Sequence, residues 1–271
     1  MVSKERLVSS TLIITLTVLA VINKWVFFVV LLILTAIGLY EFFHLIKTKG
    51  IPIYRYTGIL LGLLVPISIF FQLNLAGRWD AFFIVVLVLF MFVMQFTKNE
   101  TTDAIIGISC TLFGVLYVSW FFSFLIKIRF LVPGIEGVKL VAFLLIITKT
   151  VDMGALIIGS KFGKTPLMKT VSPNKTVEGY LGGLVTCVIA ALLCRSFLPS
   201  QMNISLWHVA FIGAFFGSIG QMGDLAESMI KRDCKVKDSG NFLPGFGGVL
   251  DTIDSILFSA PAFYFYISSL L

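Results

Sequence analysis

Charge is scarce in this chain. Only 13% of its 271 residues are Asp, Glu, Lys or Arg, against 58% hydrophobic. A soluble domain carries about 25% charged residues, so this composition argues against a soluble globular fold. Histidine is nearly missing. His44 and His208 each stand in apolar sequence without a partner nearby, which argues against zinc. The four cysteines (Cys110, Cys187, Cys194 and Cys234) have no CxxC or other metal-ligand spacing. Three of them lie in apolar segments and read as packing residues, so no structural disulfide is expected. There is no basic soluble segment to hold nucleic acid. The net charge of +7 belongs to loops, where it suits an anionic lipid surface. No internal repeat is visible at the residue level, which removes support for an inverted-repeat transporter. No small-residue cleavage site follows the first apolar segment, so a cleaved signal is not expected.

What remains is long apolar runs. A membrane-spanning helix needs about 20 such residues. Candidate spans lie near 7–22, 25–46, 53–72, 81–97, 104–126, 138–160, 177–198, 205–230 and 249–271. The fold class expected is all-α: a polytopic membrane helix bundle of about nine transmembrane helices, or eight if the first two form one re-entrant feature. Alternate loops then divide the basic residues 14 against 6, with Lys149 inside a span. Positive loops face the cytoplasm, so the N-terminus is expected there, in the inner (cytoplasmic) membrane of the cell. Residues 1–135 read as an N-terminal transmembrane scaffold with little chemistry. Their one deeply placed acid, Glu41, is expected near the interface beside His44 and Lys47. Gly58-x-x-x-Gly62 is a helix-packing signal. Residues 136–271 read as the C-terminal transmembrane catalytic region.

Acids inside apolar segments are costly and mark function by default. Lys149 and Asp152 share a face of one span and can pair. Asp224 and Glu227 repeat that three-residue spacing at the end of another span, and Asp251 and Asp254 at the start of the last. Between these two lie Lys231, Arg232, Lys235 and Lys237 and the glycines 240, 245, 247 and 248. Carboxylates gathered at one membrane boundary need a compensating charge, either these lysines or a hard divalent cation such as Mg²⁺. Basic side chains with a glycine-rich backbone suit a phosphate-bearing ligand. Ser172 and Thr176 are helix-capping candidates, and Glu178 suits the positive end of the helix that follows. Gly159-Ser-Lys-Phe-Gly163-Lys164-Thr165 imitates a Walker A loop but is one residue short and follows a span, not a strand. These residues indicate a membrane enzyme or transporter that handles a phosphorylated ligand.

Ser228-x-x-Lys231-Arg232, four residues, Lys237-Asp238, then Pro244-Gly245-x-Gly247-Gly248-x-x-Asp251-x-x-Asp254 resembles the signature of the phosphatidate cytidylyltransferase (CDP-diacylglycerol synthase) family. Asp152-x-Gly154-Ala155 and the segment Ser172 to Gly179 are similar to motifs upstream of it. The chain departs at Phe246, where the family usually has His, and at Thr252, where it usually has Arg. The resemblance covers about 150–255. It implies that phosphatidate attacks the α-phosphorus of CTP in the bilayer, yielding CDP-diacylglycerol and pyrophosphate. Asp224, Asp251, Asp254, Lys231 and Lys237 would be catalytic. Asp152, Asp224, Asp251 and Asp254 would hold Mg²⁺. Ser172, Lys175, Glu178, Ser228, Arg232, Asp238, Gly245, Gly247 and Gly248 would bind substrate. A homodimer is allowed. Two alternatives stay open: a CTP-dependent lipid kinase of the polyprenol type, and an ion-coupled membrane transporter.

Overall fold

A computed structural model describes residues 22–73, 79–97, 102–242 and 247–271, without the side chains of Trp79 and Asp80. The chain is a helical membrane protein. Helix α1 (Lys24–Thr48) begins at Asn23, whose side chain accepts from the amides of Trp25 (2.9 Å) and Val26 (3.3 Å). It is followed by α2 (Arg55–Phe70), α3 (Trp79–Phe96) and α4 (Ala104–Leu131). Then come α5 (Ile135–Phe162), α6 (Val177–Leu193), α7 (Leu206–Asp233) and α8 (Val249–Ser268). Helices α1, α4, α5 and α7 are each long and apolar enough to cross a membrane, while α2, α6 and the 81–96 part of α3 are shorter apolar helices. The expected span near 7–22 lies outside the described residues. Between α5 and α6 the chain makes a short antiparallel hairpin, β1 (Pro166–Met168) with β2 (Ser172–Thr176).

Packing between these helices cannot come from hiding apolar surface from water, because lipid is as apolar as leucine. Close backbone approach takes that role. A Cβ on Gly58 would meet the Phe43 ring at 2.6 Å, and one on Gly62 would meet Leu39, so the glycine pair seats α2 on α1. Helix α7 uses its glycine string on two sides. Gly213 and Gly217 lie against Ala191 and Cys187 of α6, whereas Gly220 and Gly223 lie against Ser259 and the Asp254 carbonyl of α8. Hydroxyls within the apolar helices are satisfied locally. Thr35, Thr111, Ser123, Thr148 and Ser259 each donate to the carbonyl four residues back. Such bonding satisfies these five buried hydroxyls within their own helices. The four cysteines are free, and His208 Nε2 hydrogen-bonds the Tyr266 hydroxyl.

Helix α4 is not uniform. Its stretch Val115–Trp120 is wound as a π-helix, in which one extra residue is fitted into a turn. Such bulges recur at functional sites, and this one carries Tyr117.

Candidate active site

The polar centre forms where α7 ends and α8 begins. After Asp233 the chain reverses through Lys235, in the left-handed region at φ 58°. Bonds from Val236 N to Lys231 O (3.0 Å) and from Arg232 Nη1 to Val236 O (3.1 Å) hold the reversal. It returns through Gly247, whose φ of 93° a side chain would strain. Gly248 is the N-cap of α8, and Asp251 at the third helical position completes the cap by accepting from Gly248 N at 2.8 Å. An acid there also faces the positive end of the helix dipole.

Asp251 is fully engaged. Its Oδ2 also accepts from Ser239 N (3.0 Å) and Ser239 Oγ (2.8 Å), and its Oδ1 lies 2.5 Å from Lys231 Nζ. Lys231 also pairs with Glu227 one helical turn earlier. Glu227 is wholly buried, and this ammonium balances it. The row Glu227–Lys231–Asp251 therefore ties α7 to α8 by charge at the point where the loop between them begins.

A second group lies deeper. Lys149 Nζ of α5 reaches Asp152 Oδ2 (3.3 Å), the carbonyl of Thr252 (2.8 Å) and Ser255 Oγ (3.3 Å). Ser255 Oγ donates to Asp152 Oδ2 at 3.2 Å. The pairing expected from the Lys149–Asp152 spacing forms, and it also bolts α5 to α8. Asp254, 5% exposed, lies within electrostatic reach of Asp152 and Asp224. Asp224 is paired with Lys175 from β2. The four carboxylates expected to act together thus divide. Asp152 pairs with Lys149, Asp224 with Lys175 and Asp251 with Lys231, whereas Asp254 has no lysine against it among the described residues and accepts from Ser255 N at 2.5 Å. Among the described residues no group of three His, Cys, Asp or Glu is already arranged around a metal position.

The remaining expected residues fall as follows. Ser172 does not cap a helix: it pairs with Met168 in the hairpin, because the segment up to Thr176 is extended. Thr176 is the cap, accepting from Gly179 N at 3.1 Å. Glu178 accepts from the amides of Lys164 (3.0 Å) and Thr165 (3.1 Å). The amides of the Walker-like segment therefore face a carboxylate of the chain itself, which agrees with its rejection as a P-loop. Arg232 Nε donates to the Val171 carbonyl (3.3 Å), linking the last turn of α7 to the hairpin. Ser228 is buried, and Lys237 and Asp238 are exposed. Gly245 and Phe246 lie outside the described residues.

Two residues of the first half enter this region unforeseen. Glu41 is not interfacial. It is 2% exposed, and its carboxylate accepts from Val249 N (3.0 Å), Leu250 N (2.8 Å) and Ser239 Oγ (3.3 Å). The free amides at the start of α8 draw it inward. Tyr117 has a buried hydroxyl with no hydrogen-bond partner. Its ring meets Phe258 edge-on at 6.2 Å, one turn along α8 from Asp254. The intramembrane acid was the available signal for Glu41. Tyr117 had none, because a π turn is not visible in a hydropathy pattern.

The sequence profile of the cytidylyltransferase family matches residues 4–270. A phosphatidate cytidylyltransferase of Bacillus subtilis is 31% identical over 269 residues, covering 98% of this chain and 97% of the relative. One from Synechocystis is 31% identical over 296 residues, with 98% and 97% covered. Phosphatidate cytidylyltransferase 4, chloroplastic, of Arabidopsis thaliana is 32% identical over 278 residues, covering 91% of this chain and 68% of the relative. With matches that run almost from end to end, the chain belongs to the cytidylyltransferase family.

Proposed function

We propose that this protein is a membrane phosphatidate cytidylyltransferase that makes CDP-diacylglycerol from phosphatidate and CTP in phospholipid biosynthesis. The observation that carries the reading is the near full-length match to relatives bearing that name. The lysine-threaded carboxylate centre at the α7–α8 junction is the feature of the chain suited to the chemistry. A phosphate oxygen of phosphatidate attacks the α-phosphorus of CTP. The new P–O bond forms as the bond from that phosphorus to the bridging oxygen of the β-phosphate breaks, and pyrophosphate leaves with the electron pair. The nucleophile is already an anion, so no side chain need remove a proton. The work of the site is positioning and charge neutralisation.

Lys175, Lys231, Arg232 and Lys237 would meet the phosphates. Gly247 and Gly248, with Gly245 two residues earlier in the sequence, would let backbone approach the nucleotide. Ser172, Glu178, Ser228 and Asp238 would shape the substrate-facing loops. Asp152, Asp224 and Asp254 would supply the hard oxygen donors that suit Mg²⁺, and would have to draw together around it, since no such group is formed among the described residues. Asp251 suits it less, because both its oxygens already accept from this chain. When bound, Mg²⁺ would neutralise charge on the transferring phosphates.

The eight helices, with the segment near 7–22, would make about nine crossings. The N-terminus would be cytoplasmic, and the hairpin and the α7–α8 loop would face cytosolic CTP. Purified protein supplied with phosphatidate, Mg²⁺ and CTP labelled at the α-phosphate tests the reading. Labelled lipid with equimolar pyrophosphate is expected. With a polyprenol or other lipid alcohol supplied in place of phosphatidate, CDP and a phosphorylated alcohol would identify a lipid kinase instead. Ion flux in sealed vesicles without nucleotide turnover would identify a transporter.

A further inference from the structure

We infer that Glu41, in the apolar first half, is a positioning residue for the reaction: it sets the start of α8 and, through Ser239, the orientation of Asp251. The inference rests on the functional reading above.

The geometry is specific. One carboxylate oxygen of Glu41 accepts from Val249 N at 3.0 Å, and the other accepts from Leu250 N at 2.8 Å and Ser239 Oγ at 3.3 Å. These are the first two residues of α8, whose amides have no partner within the helix. Asp251 uses the other side of the same junction, bonding Gly248 N and both donors of Ser239. Two carboxylates from opposite ends of the sequence therefore share one serine and clamp consecutive amides. The fit leaves no spare room. A Cβ on Gly248 would come within 2.7 Å of Glu41 Oε2, and one on Gly240 would strike Oε1. Next to Glu41, Tyr40 meets Phe242 edge-on at 6.2 Å, so α1 grips the loop at two successive residues.

The chemistry explains why a charged group is placed there. A carboxylate offers one oxygen to each of the two amides and shares the single Ser239 hydroxyl proton with Asp251, and bonds to a charged acceptor are about twice as strong as neutral ones. Glutamine has a single oxygen and must turn an NH₂ toward one of the amides. The change would leave α8 in place but loosen its first turn, which carries Asp251 and thereby the aim of Lys231. An error of about 1 Å in such a constellation can cost about a hundredfold in rate.

The test uses the full chain in detergent with Glu41→Gln and Glu41→Ala. Steady-state kinetics should show kcat reduced at least tenfold in Glu41→Gln and further in Glu41→Ala, with KM for CTP within threefold of wild type. Amide exchange across 247–254 should quicken at least tenfold in Glu41→Ala, while α5 and α6 remain as in wild type. If Glu41→Ala does not fold, Glu41→Gln decides by the same two measurements. A kcat within threefold in the folded variants, an effect confined to KM, or unchanged exchange at 247–254 overturns the inference. Should the wild type make no CDP-diacylglycerol, the functional reading fails by itself. The exchange measurement then still decides whether Glu41 positions α8.

Discussion

The ammonium of Lys231 sits 2.5 Å from Asp251 Oδ1 and also pairs with the wholly buried Glu227. One cation thus serves two acids from different helices. Breaking a buried pair by removing one partner typically costs about 3–5 kcal/mol, because the other charge is stranded. Lys231→Met should lower thermal stability in detergent by an amount of that order and abolish turnover. Lys231→Met with Glu227→Gln should recover most of the stability and none of the activity. Stability left unrecovered in the double variant would mean that Lys231 does not hold Glu227.

Asp251→Asn should reduce turnover at least about a thousandfold, or about 4 kcal/mol of barrier. It should also destabilise the protein by about 2 kcal/mol, since the side chain accepts from Gly248, Ser239 and Lys231 and such charged bonds are each worth about 1.5–3 kcal/mol. Relief of repulsion among clustered acids would predict the opposite sign. A thermal melt beside the activity assay separates the two.

Chelation should abolish activity, and added Mg²⁺ should restore it. Asp224→Asn and Asp254→Asn should raise the Mg²⁺ concentration for half-maximal rate at least tenfold, or abolish the rate. Asp251→Asn should change the rate more than that midpoint. Full activity in EDTA would remove the cation from the site.

Gly248→Ala should be more damaging than Gly247→Ala. At Gly247 the cost is a left-handed φ, about 1–2 kcal/mol. At Gly248 a methyl group must displace Ser239 and Glu41, two members of the clamp. Activity and melting temperature measured for both variants should fall in that order.

Much of this was legible in the residues. Apolar runs located the helices, and the three-residue spacing of Lys149 and Asp152 foretold their pair. Gly58 and Gly62 marked the α1–α2 contact, and Thr176 marked a cap. Local rules suffice where both partners lie within a turn or two of each other. They failed where the partner is remote. Glu41 bonds amides more than two hundred residues away, and nothing near it in sequence announces that. Ser172 was misread because a capping residue and a strand residue look alike until the hairpin partner Met168 is known. Lys231 is among the compensating charges the sequence offers Asp251, and the pair forms; the Ser239 contact joins residues twelve apart across a loop, where no local rule applies.

The π turn in α4 has a consequence for insertions and deletions. An α-helix advances about 100° per residue, so one surplus residue between Val115 and Trp120 rotates everything beyond it by that angle relative to a plain helix. Deleting a single residue there would leave a continuous helix of nearly the same length. It would also turn Phe124, which now rests on Tyr264 and Phe265 of α8, toward a different neighbour. The angular phase between the two ends of α4 is held by one residue, and length variation at this point should be far less tolerated than in the loops on either side.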